Sequence, residues 1–206
     1  MRLMQKGGPL IRSLLFTAAL VLSACTATDD LEGPPPELGA FRLGHVVVLA
    51  DTVEYGPFSR TIDEDLIVES VTRAVTERLA APRYDGDGLY HLGILVGGLV
   101  LAAPGVPTIY TPSSAMIIEV NVFDNATQAR LNEEPEQILV REGLRNWVPI
   151  IGSGLVRGKD AQLENLSFSA AAAVQRWLLE NEEWFDPKPG QVRVPYPGPE
   201  VRRPAN

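Results

Sequence analysis

Proline is concentrated at the two ends of the chain, and this restricts where a folded domain can form. Three consecutive prolines occupy positions 34–36, and six of the 17 prolines lie from Pro187 onward. Proline lacks a backbone N–H donor and is excluded from helix interiors and central strands. We therefore predict a Pro-rich tether at 25–40, one α/β domain at 41–185 and a Pro-rich disordered tail at 186–206.

The first half of the predicted domain has the pattern of a strand, a helix and a second strand. The run LGHVVVLA at 43–50 is short and rich in valine, which predicts a buried strand. Thr61 and Glu64 form a capping-box pattern before a helix with one apolar face, and Pro82 ends that helix. A second apolar run covers 89–96. This order favours parallel pairing of the two strands.

The second half predicts antiparallel strands followed by a helix. Residues 114–123 alternate between apolar and polar, as in a strand with one solvated face. A turn leads to a second antiparallel strand near 128–132, which 137–140 can continue. An apolar stripe at helical spacing then predicts a helix from Asp160, its N-cap, to about Trp184.

The element order is therefore β-α-β-β-β-α. Each of the two helices has one apolar face, and at least one strand alternates between apolar and polar residues. Such elements suit an α+β two-layer sandwich, in which a mixed sheet carries both helices on one face.

The first 24 residues have the order of a secretory signal peptide. Arg2, Lys6 and Arg12 precede the apolar run 14–22, two small residues follow it, and no acidic residue occurs before Cys25. The apolar run would span about 14 Å as a helix, less than half of the roughly 30 Å hydrocarbon core. We therefore predict that this segment is removed and is not a permanent membrane span.

The sequence around the only cysteine, Leu22-Ser23-Ala24-Cys25, resembles the lipobox of bacterial lipoproteins. The resemblance implies that Cys25 carries fatty acyl chains such as palmitate and becomes the N-terminus of the mature protein. Each buried CH₂ would contribute about 0.8 kcal/mol to membrane binding. Thr26 follows, where an aspartate would mark retention in the inner membrane, so the resemblance implies an outer-membrane anchor with a periplasmic domain. An ordinary signal peptide with a chance cysteine is the alternative.

Charge and cysteine content narrow the class of protein further. Removal of the signal peptide takes away three basic and no acidic residues, so the net charge changes from −8 to −11. Such an acidic chain has no electrostatic footprint for nucleic acid and is repelled by anionic lipid. With a single cysteine no intrachain disulfide can form, so stability must come from core burial.

The combination of a lipobox, a Pro-rich tether and a small βαβββα domain resembles envelope lipoproteins of the LpoB and CsgG-like α/β type. Several uncharacterised families share this build. The resemblance rests on element order, and it transfers no functional residue to this chain.

Few residues are suited to catalysis or metal binding. The only histidines, His45 and His91, each lie near the start of a predicted strand, and their rings would come close if those strands are parallel neighbours. Two ligands are too few for a metal site, and Gly158–Asp160 lacks the serine or threonine of a phosphate-binding loop. We predict no metal and no cofactor. The enzyme alternative is a small hydrolase-like protein that uses His45 or His91 as general base.

Two apolar segments remain as candidates for binding a partner, the 97–112 loop and the 147–155 segment. Long loops are commonly functional or mobile, and exposed apolar residues mark interaction sites. We therefore predict a non-enzymatic protein-binding or assembly factor of the cell envelope. A lipid or small-ligand carrier that uses the loop is a further alternative, and so is a core-covering role for both segments. The predicted partner-binding residues are Val106, Ile109, Tyr110 and Trp147.

Overall fold

The computed structural model describes residues 31, 33–103, 113–141 and 158–198. Within these ranges the strands are β1 (Phe41–Leu49), β2 (Glu54–Tyr55), β3 (Gly88–Val100), β4 (Ala115–Asp124) and β5 (Glu136–Arg141). The helices are α1 (Glu64–Leu79) and α2 (Lys159–Glu180), and a 3₁₀ turn covers Glu182–Phe185.

The long strand β3 is the centre of a five-stranded mixed sheet. On one side of β3, strand β1 pairs in parallel with the first part of β3. The two-residue strand β2 pairs in parallel with β3 near the end of β3, at Gly98 and Leu99. On the other side, β4 pairs with β3 and β5 pairs with β4, both antiparallel. The strand order is β1-β3-β4-β5. The predicted parallel pair and the α+β two-layer fold are thus confirmed.

Both helices pack on the same face of this sheet. The helix residues Ile67, Val71, Leu166 and Val174 are completely buried in one cluster with inward side chains of the strands. Full burial of such a side chain stabilises the fold by about 1.5–3 kcal/mol. The strand residues of the same cluster include Phe41, Leu43, Val48, Tyr90, Leu92, Ile94, Val96, Met116, Ile118, Val120, Val122 and Val140.

The contact between the two helices also contains buried polar pairs. The hydroxyl of Ser70 donates to the hydroxyl of Ser167 at 2.9 Å. Arg78 Nη1 donates to Gln175 Oε1 at 2.9 Å, and Gln175 Nε2 donates to the Tyr84 hydroxyl at 2.6 Å. A buried polar group that loses its partner costs about 1–3 kcal/mol. These pairs therefore fix the register of the helices.

Both helices begin differently from the prediction. The N-cap of α1 is Asp63, whose carboxylate accepts from the Asp65 N–H at 3.0 Å, so the predicted cap at Thr61 is wrong. An aspartate closer to the helix satisfies the free amide instead. The N-cap of α2 is Gly158, without a side-chain hydrogen bond, and Asp160 lies in the first helical turn. The predicted cap at Asp160 is therefore also wrong.

The ends of β3 and α2 differ as well. β3 continues to Val100, so residues 97–100 belong to the strand and not to the predicted loop. The last helix stops at Glu180, where Asn181 Nδ2 donates to the Trp177 carbonyl oxygen at 2.8 Å. The 3₁₀ turn that follows buries Phe185 in the core. None of the described helices is long and apolar enough to cross a bilayer.

The predicted strand at 128–132 does not form. Only one isolated bridge, Phe123 to Arg130, joins this stretch to β4, and the second antiparallel strand is β5. The buried side chain of Asn132 takes over backbone groups of β4. Its Oδ1 accepts from the Val122 N–H at 3.0 Å, and its Nδ2 donates to the Val120 carbonyl oxygen at 3.2 Å. The side-chain amide of Asn132 thus makes hydrogen bonds to β4 that a paired strand would otherwise make.

Candidate functional site

The residues predicted for lipidation and partner binding lie outside the described residues. They are Cys25, Val106, Ile109, Tyr110 and Trp147. The described part of the chain presents two other surfaces with functional potential, one on the face of the sheet opposite the helices and one at an end of the sheet.

The first surface is the sheet face opposite the helices, where several exposed positions are apolar. On β1, Val47 and Leu49 are 55% and 51% exposed, and Leu139 on β5 is 54% exposed. Ile117 on β4 is 37% exposed, and Leu95 on β3 is half-buried. The solvated face of an antiparallel sheet normally carries polar residues. We call these five side chains the open face.

Strand register makes the open face continuous. Leu49 lies opposite Leu95, and Ile117 lies between Gly98 and Leu139. A Cβ added at Gly97 would meet no atom within 4 Å. The Ile117 side chain lies over Gly98, where an added Cβ would be 3.3 Å from Ile117 Cδ1, so only the position of Gly97 is open.

Polar residues border the open face. Glu119 and Gln137 continue the row that begins with Leu49 and Leu95, and Asn121 lies opposite Gly93 one row away. An apolar centre with a polar rim is the usual anatomy of a protein–protein interface. The open face therefore has the composition of a binding surface.

The second surface lies where β1 and β3 begin. The rings of His45 and His91 stack there, with centroids 5.1 Å apart, because β1 and β3 are parallel neighbours. Register shifts between Leu43 and Val46, at a bulge that contains His45. A side chain at Gly44 would collide with the His91 ring. A glycine at this position is therefore required for the histidines to pack.

Both ring nitrogens of His91 have hydrogen-bond partners. Nδ1 accepts from the backbone N–H of His45 at 2.8 Å, and Nε2 lies 3.1 Å from Asn125 Oδ1. The tautomer with its proton on Nε2 satisfies both contacts. In this state His91 has no lone pair available for a metal ion or a substrate proton, and its contacts favour a structural role.

His45 contacts the C-terminal part of the chain. The Tyr196 hydroxyl lies 3.1 Å from His45 Nδ1, and the two rings meet edge to face at 5.1 Å. Across the described ranges, no group of three or more His, Cys, Asp or Glu side chains could hold a metal ion. The contacts of the two histidines thus favour a structural role at this end of the sheet over general-base chemistry.

The start of the predicted tail runs along this corner without helix or strand. Lys188 Nζ lies 2.7 Å from Asp124 Oδ2. The Arg193 guanidinium lies 2.5 Å from Asp85 Oδ1 and 3.6 Å from Asp87 Oδ1. Three carboxylates of the domain therefore pair with two basic residues of the tail.

Arg42, on β1, also contacts the tail. Its side chain points away from the core at the start of β1 and is only 6% exposed. Nη2 donates to the Val194 carbonyl oxygen at 2.6 Å, while the buried Nε has no hydrogen-bond partner. Burial of a guanidinium is costly unless it is hydrogen-bonded, so the tail carbonyl helps to stabilise this charge. We call Arg42, His45, Asp85, Asp87 and Asp124 the tail corner.

The Lys188–Asp124 pair joins a half-exposed ammonium to a carboxylate that is 5% exposed. Burial alone would raise the pKa of Asp124. Hydrogen bonds from Lys188 and from the backbone of Ala126 and Thr127, together with the Lys188 charge, nevertheless hold this pKa below its ordinary 3.8. The hydrogen bond to Asp124 in turn raises the pKa of Lys188 above 10.5, against a smaller opposing effect of desolvation. Both groups therefore remain charged around neutral pH.

The described residues also form two open clefts. One of about 370 Å³ lies between the tail and the sheet end, and its walls include Gly88, Asp124 and Lys188. Another of about 300 Å³ lies between the helices, where Arg73 and Glu164 form an exposed ion pair at 3.2 Å. The first of these belongs to the tail corner.

Comparison with known proteins assigns no family to the chain. No family model matches it, and no curated protein matches its sequence. The fold is that of a small two-layer α+β protein.

Several solved structures align with this fold. A candidate lipoprotein of Caulobacter crescentus is 13% identical, with 69% of this chain and 93% of that chain covered and a TM-score of 0.35. A DUF330 protein of Xanthomonas campestris is 13% identical, with 73% and 91% covered and a TM-score of 0.41. A candidate homolog of a neuraminyllactose-binding hemagglutinin from Helicobacter pylori is 10% identical, with 74% and 95% covered and a TM-score of 0.36. Likeness at this level assigns neither activity nor location.

Sequence reasoning predicted the proximity of His45 and His91, which is confirmed, but it missed the open face and the contacts of the tail. It interpreted 43–50 as buried throughout, although Val47 and Leu49 point away from the helices. A signal was present, because two helices on one sheet face leave the other face uncovered, and consecutive valines must then supply apolar residues to both faces. The tail contacts gave no local signal, since Lys188 and Asp124 are 64 positions apart.

Proposed function

We propose that this chain is a lipid-anchored, non-enzymatic lipoprotein of the bacterial outer membrane. Its periplasmic domain binds another envelope protein through the open face. One observation carries the proposal: of the eight large apolar side chains that are exposed in the described residues, four share this face. They are Val47, Leu49, Ile117 and Leu139.

The physical argument concerns apolar area. Removing apolar surface from water stabilises an association by about 25 cal/mol per Å², and contiguous exposed patches with polar rims mark interaction sites. A protein partner suits this face better than a membrane does. The whole chain has a net charge of −8, and anionic lipid would repel it.

The anchor is supported by the lipobox at 22–25 and by the charge and apolar pattern before it. An acylated Cys25 would keep the domain at the membrane without a spanning helix. Anchoring raises the local concentration of a membrane-associated partner, so even a modest apolar interface would form.

Site-specific photo-crosslinking in intact cells tests the binding face. A photoreactive phenylalanine analogue replaces Leu49 or Leu139, and Leu66 is the matched control because it is 43% exposed on α1. We expect one discrete protein adduct from positions 49 and 139 and none from 66. Equal adducts from all three positions, adducts to lipid alone or no adducts would contradict the proposed face.

Metabolic labelling with an alkyne fatty acid tests the anchor separately. The unchanged chain should incorporate the label and sediment with membranes. The Cys25→Ser variant should lose both properties. A Cys25→Ser chain that is still processed and still recovered with membranes would show that the anchor is assigned wrongly, whatever the crosslinking shows.

A further inference from the structure

The tail contacts the domain through polar groups at fixed spacing and not through apolar burial. Val192 is 78% exposed and Val194 is 43% exposed. The contacts include the basic side chains of Lys188 and Arg193, the side chain of Gln191, the carbonyl of Val194 and the hydroxyl of Tyr196. Peptide-binding sites recognise extended peptides through contacts of this kind, to charged side chains, backbone carbonyls and hydroxyl groups at fixed positions.

Charge is complementary across this contact. The domain supplies Asp85, Asp87 and Asp124, and the tail supplies two basic side chains five positions apart. Prolines on either side of the basic residues favour an extended backbone, which lowers the entropy lost on binding. The tail corner therefore fits a basic, extended segment that contains proline.

Arg42 provides an independent reason for a ligand at this place. The guanidinium is almost completely buried, its Nε has no partner in the described part of the chain, and Nη2 relies on one tail carbonyl. A segment that replaces the tail and covers Arg42 must supply an acceptor at the same place, because a buried donor without a partner is unfavourable. Arg42 therefore favours a segment with a carbonyl oxygen at this position.

The tail itself is weakly held. The ion pairs of Arg193 with Asp85 and Asp87 are exposed and are screened by solvent, and only the Lys188–Asp124 pair involves a buried carboxylate. The segment also has no secondary structure to melt. Segments with few buried apolar contacts detach at low cost in free energy. A segment of another protein with the same chemistry can therefore replace it.

We propose that the tail corner is a peptide-binding site for an extended segment with two basic residues five positions apart and flanking prolines. The chain's own residues 188–196 occupy it in the free protein, and a segment of this chemistry from a protein partner displaces them. This site is separate from the open face and does not rest on the function proposed above.

A fluorescent peptide with the sequence of residues 187–198 is the probe. Its binding is measured by anisotropy to the full chain and to the full-length double variant Lys188→Glu/Arg193→Glu, whose own tail cannot compete. We expect saturable binding to the double variant and at least tenfold weaker binding to the unchanged chain, because an attached tail acts at an effective concentration of order millimolar. Binding should weaken as salt rises.

Two controls complete the design. A peptide with both basic residues changed to glutamate should not bind. Adding Asp85→Asn and Asp87→Asn to the double variant should weaken binding of the unchanged peptide, with an unchanged melting temperature as the check on folding. Both carboxylates are more than half exposed, so folding should not depend on them.

The possible outcomes distinguish which segment binds to the tail corner. No saturable binding to the double variant, equal binding to both chains, or equal binding of the charge-reversed peptide would overturn the proposal and leave the tail contacts structural. A concentration-dependent dimer of the unchanged chain that the Lys188→Glu/Arg193→Glu change abolishes would assign the groove to the tail of a second copy and overturn the assignment to a protein partner.

Discussion

The two faces of the sheet use the same strands but have opposite environments. On β4, Ile118 is completely buried under the helices while its neighbour Ile117 is 37% exposed, and on β1 Val48 is 7% exposed while Val47 is 55% exposed. Successive side chains of a strand point to opposite faces. The covered face therefore contains the core, and the exposed apolar residues on the other face are those that we propose bind a partner.

The adjacent isoleucines of β4 give the sharpest test of this difference. Ile118→Ala should lower the free energy of unfolding by about 2–5 kcal/mol, because it opens a cavity in the core. Ile117→Ala removes the same atoms from a partly exposed site and should cost less than about 1 kcal/mol. Urea denaturation measures both. Equal losses would mean that the outer face is covered like the inner one.

The next largest effect is expected from the polar contact between the helices. Gln175→Leu removes the partner of both Arg78 and Tyr84 and should cost about 1–3 kcal/mol. The matched control is Gln137→Leu on the exposed border of the open face, which should change stability by less than about 0.5 kcal/mol. A comparable loss in the control would contradict the assignment of Gln137 to an uncovered surface.

The tail contact should depend on pH. The pKa of Asp124 is lowered in the folded state, so its contribution is present above the ordinary value and is lost as pH falls through the folded-state value, below 3.8. The pKa of Lys188 is raised, so its contribution is lost only as pH rises beyond 10.5. Lys188→Met should therefore lower stability by about 1 kcal/mol at neutral pH. The melting temperatures of the two proteins should converge once the pH falls below the lowered folded-state pKa of Asp124, which lies under 3.8. A difference that persists undiminished at that pH would show that the pair is not its source.

The smallest effect on stability is expected on the open face itself. Leu49→Ser/Leu139→Ser exchanges two half-exposed leucines and should change the free energy of unfolding by less than about 0.5 kcal/mol per site. Thermal unfolding followed by circular dichroism is the measurement. A drop of many degrees in the melting temperature would place these leucines in a core.

Much of the fold could be predicted because local patterns agree with the tertiary arrangement. The alternation at 114–123 identified β4 and its inward residues, and the strand–helix–strand order predicted that β1 and β3 are parallel neighbours. Boundaries were less predictable, because caps are decided by competition among nearby polar residues. Asp63 rather than Thr61 caps α1, and the amide of Asn132 replaces a ladder at 128–132.

The candidate surfaces were harder to predict for a physical reason. Whether Val47 packs or is exposed depends on which sheet face the helices cover, and no local pattern carries that information. The partners of Arg193 and Tyr196 lie 108 and 151 positions away in sequence. The proximity of His45 and His91 was predictable from strand pairing, whereas the hydrogen bonds that occupy both nitrogens of His91 were not.

We propose that the open face binds a protein while the opposite face stabilises the fold. The sharpest experiment measures the yield of the protein adduct from a photoreactive residue at Asn121, on the border of the open face, with and without Leu49→Ser/Leu139→Ser. We expect the double variant to reduce the yield of the adduct at least tenfold while the amount of folded chain stays the same. An undiminished adduct from a folded double variant would contradict it.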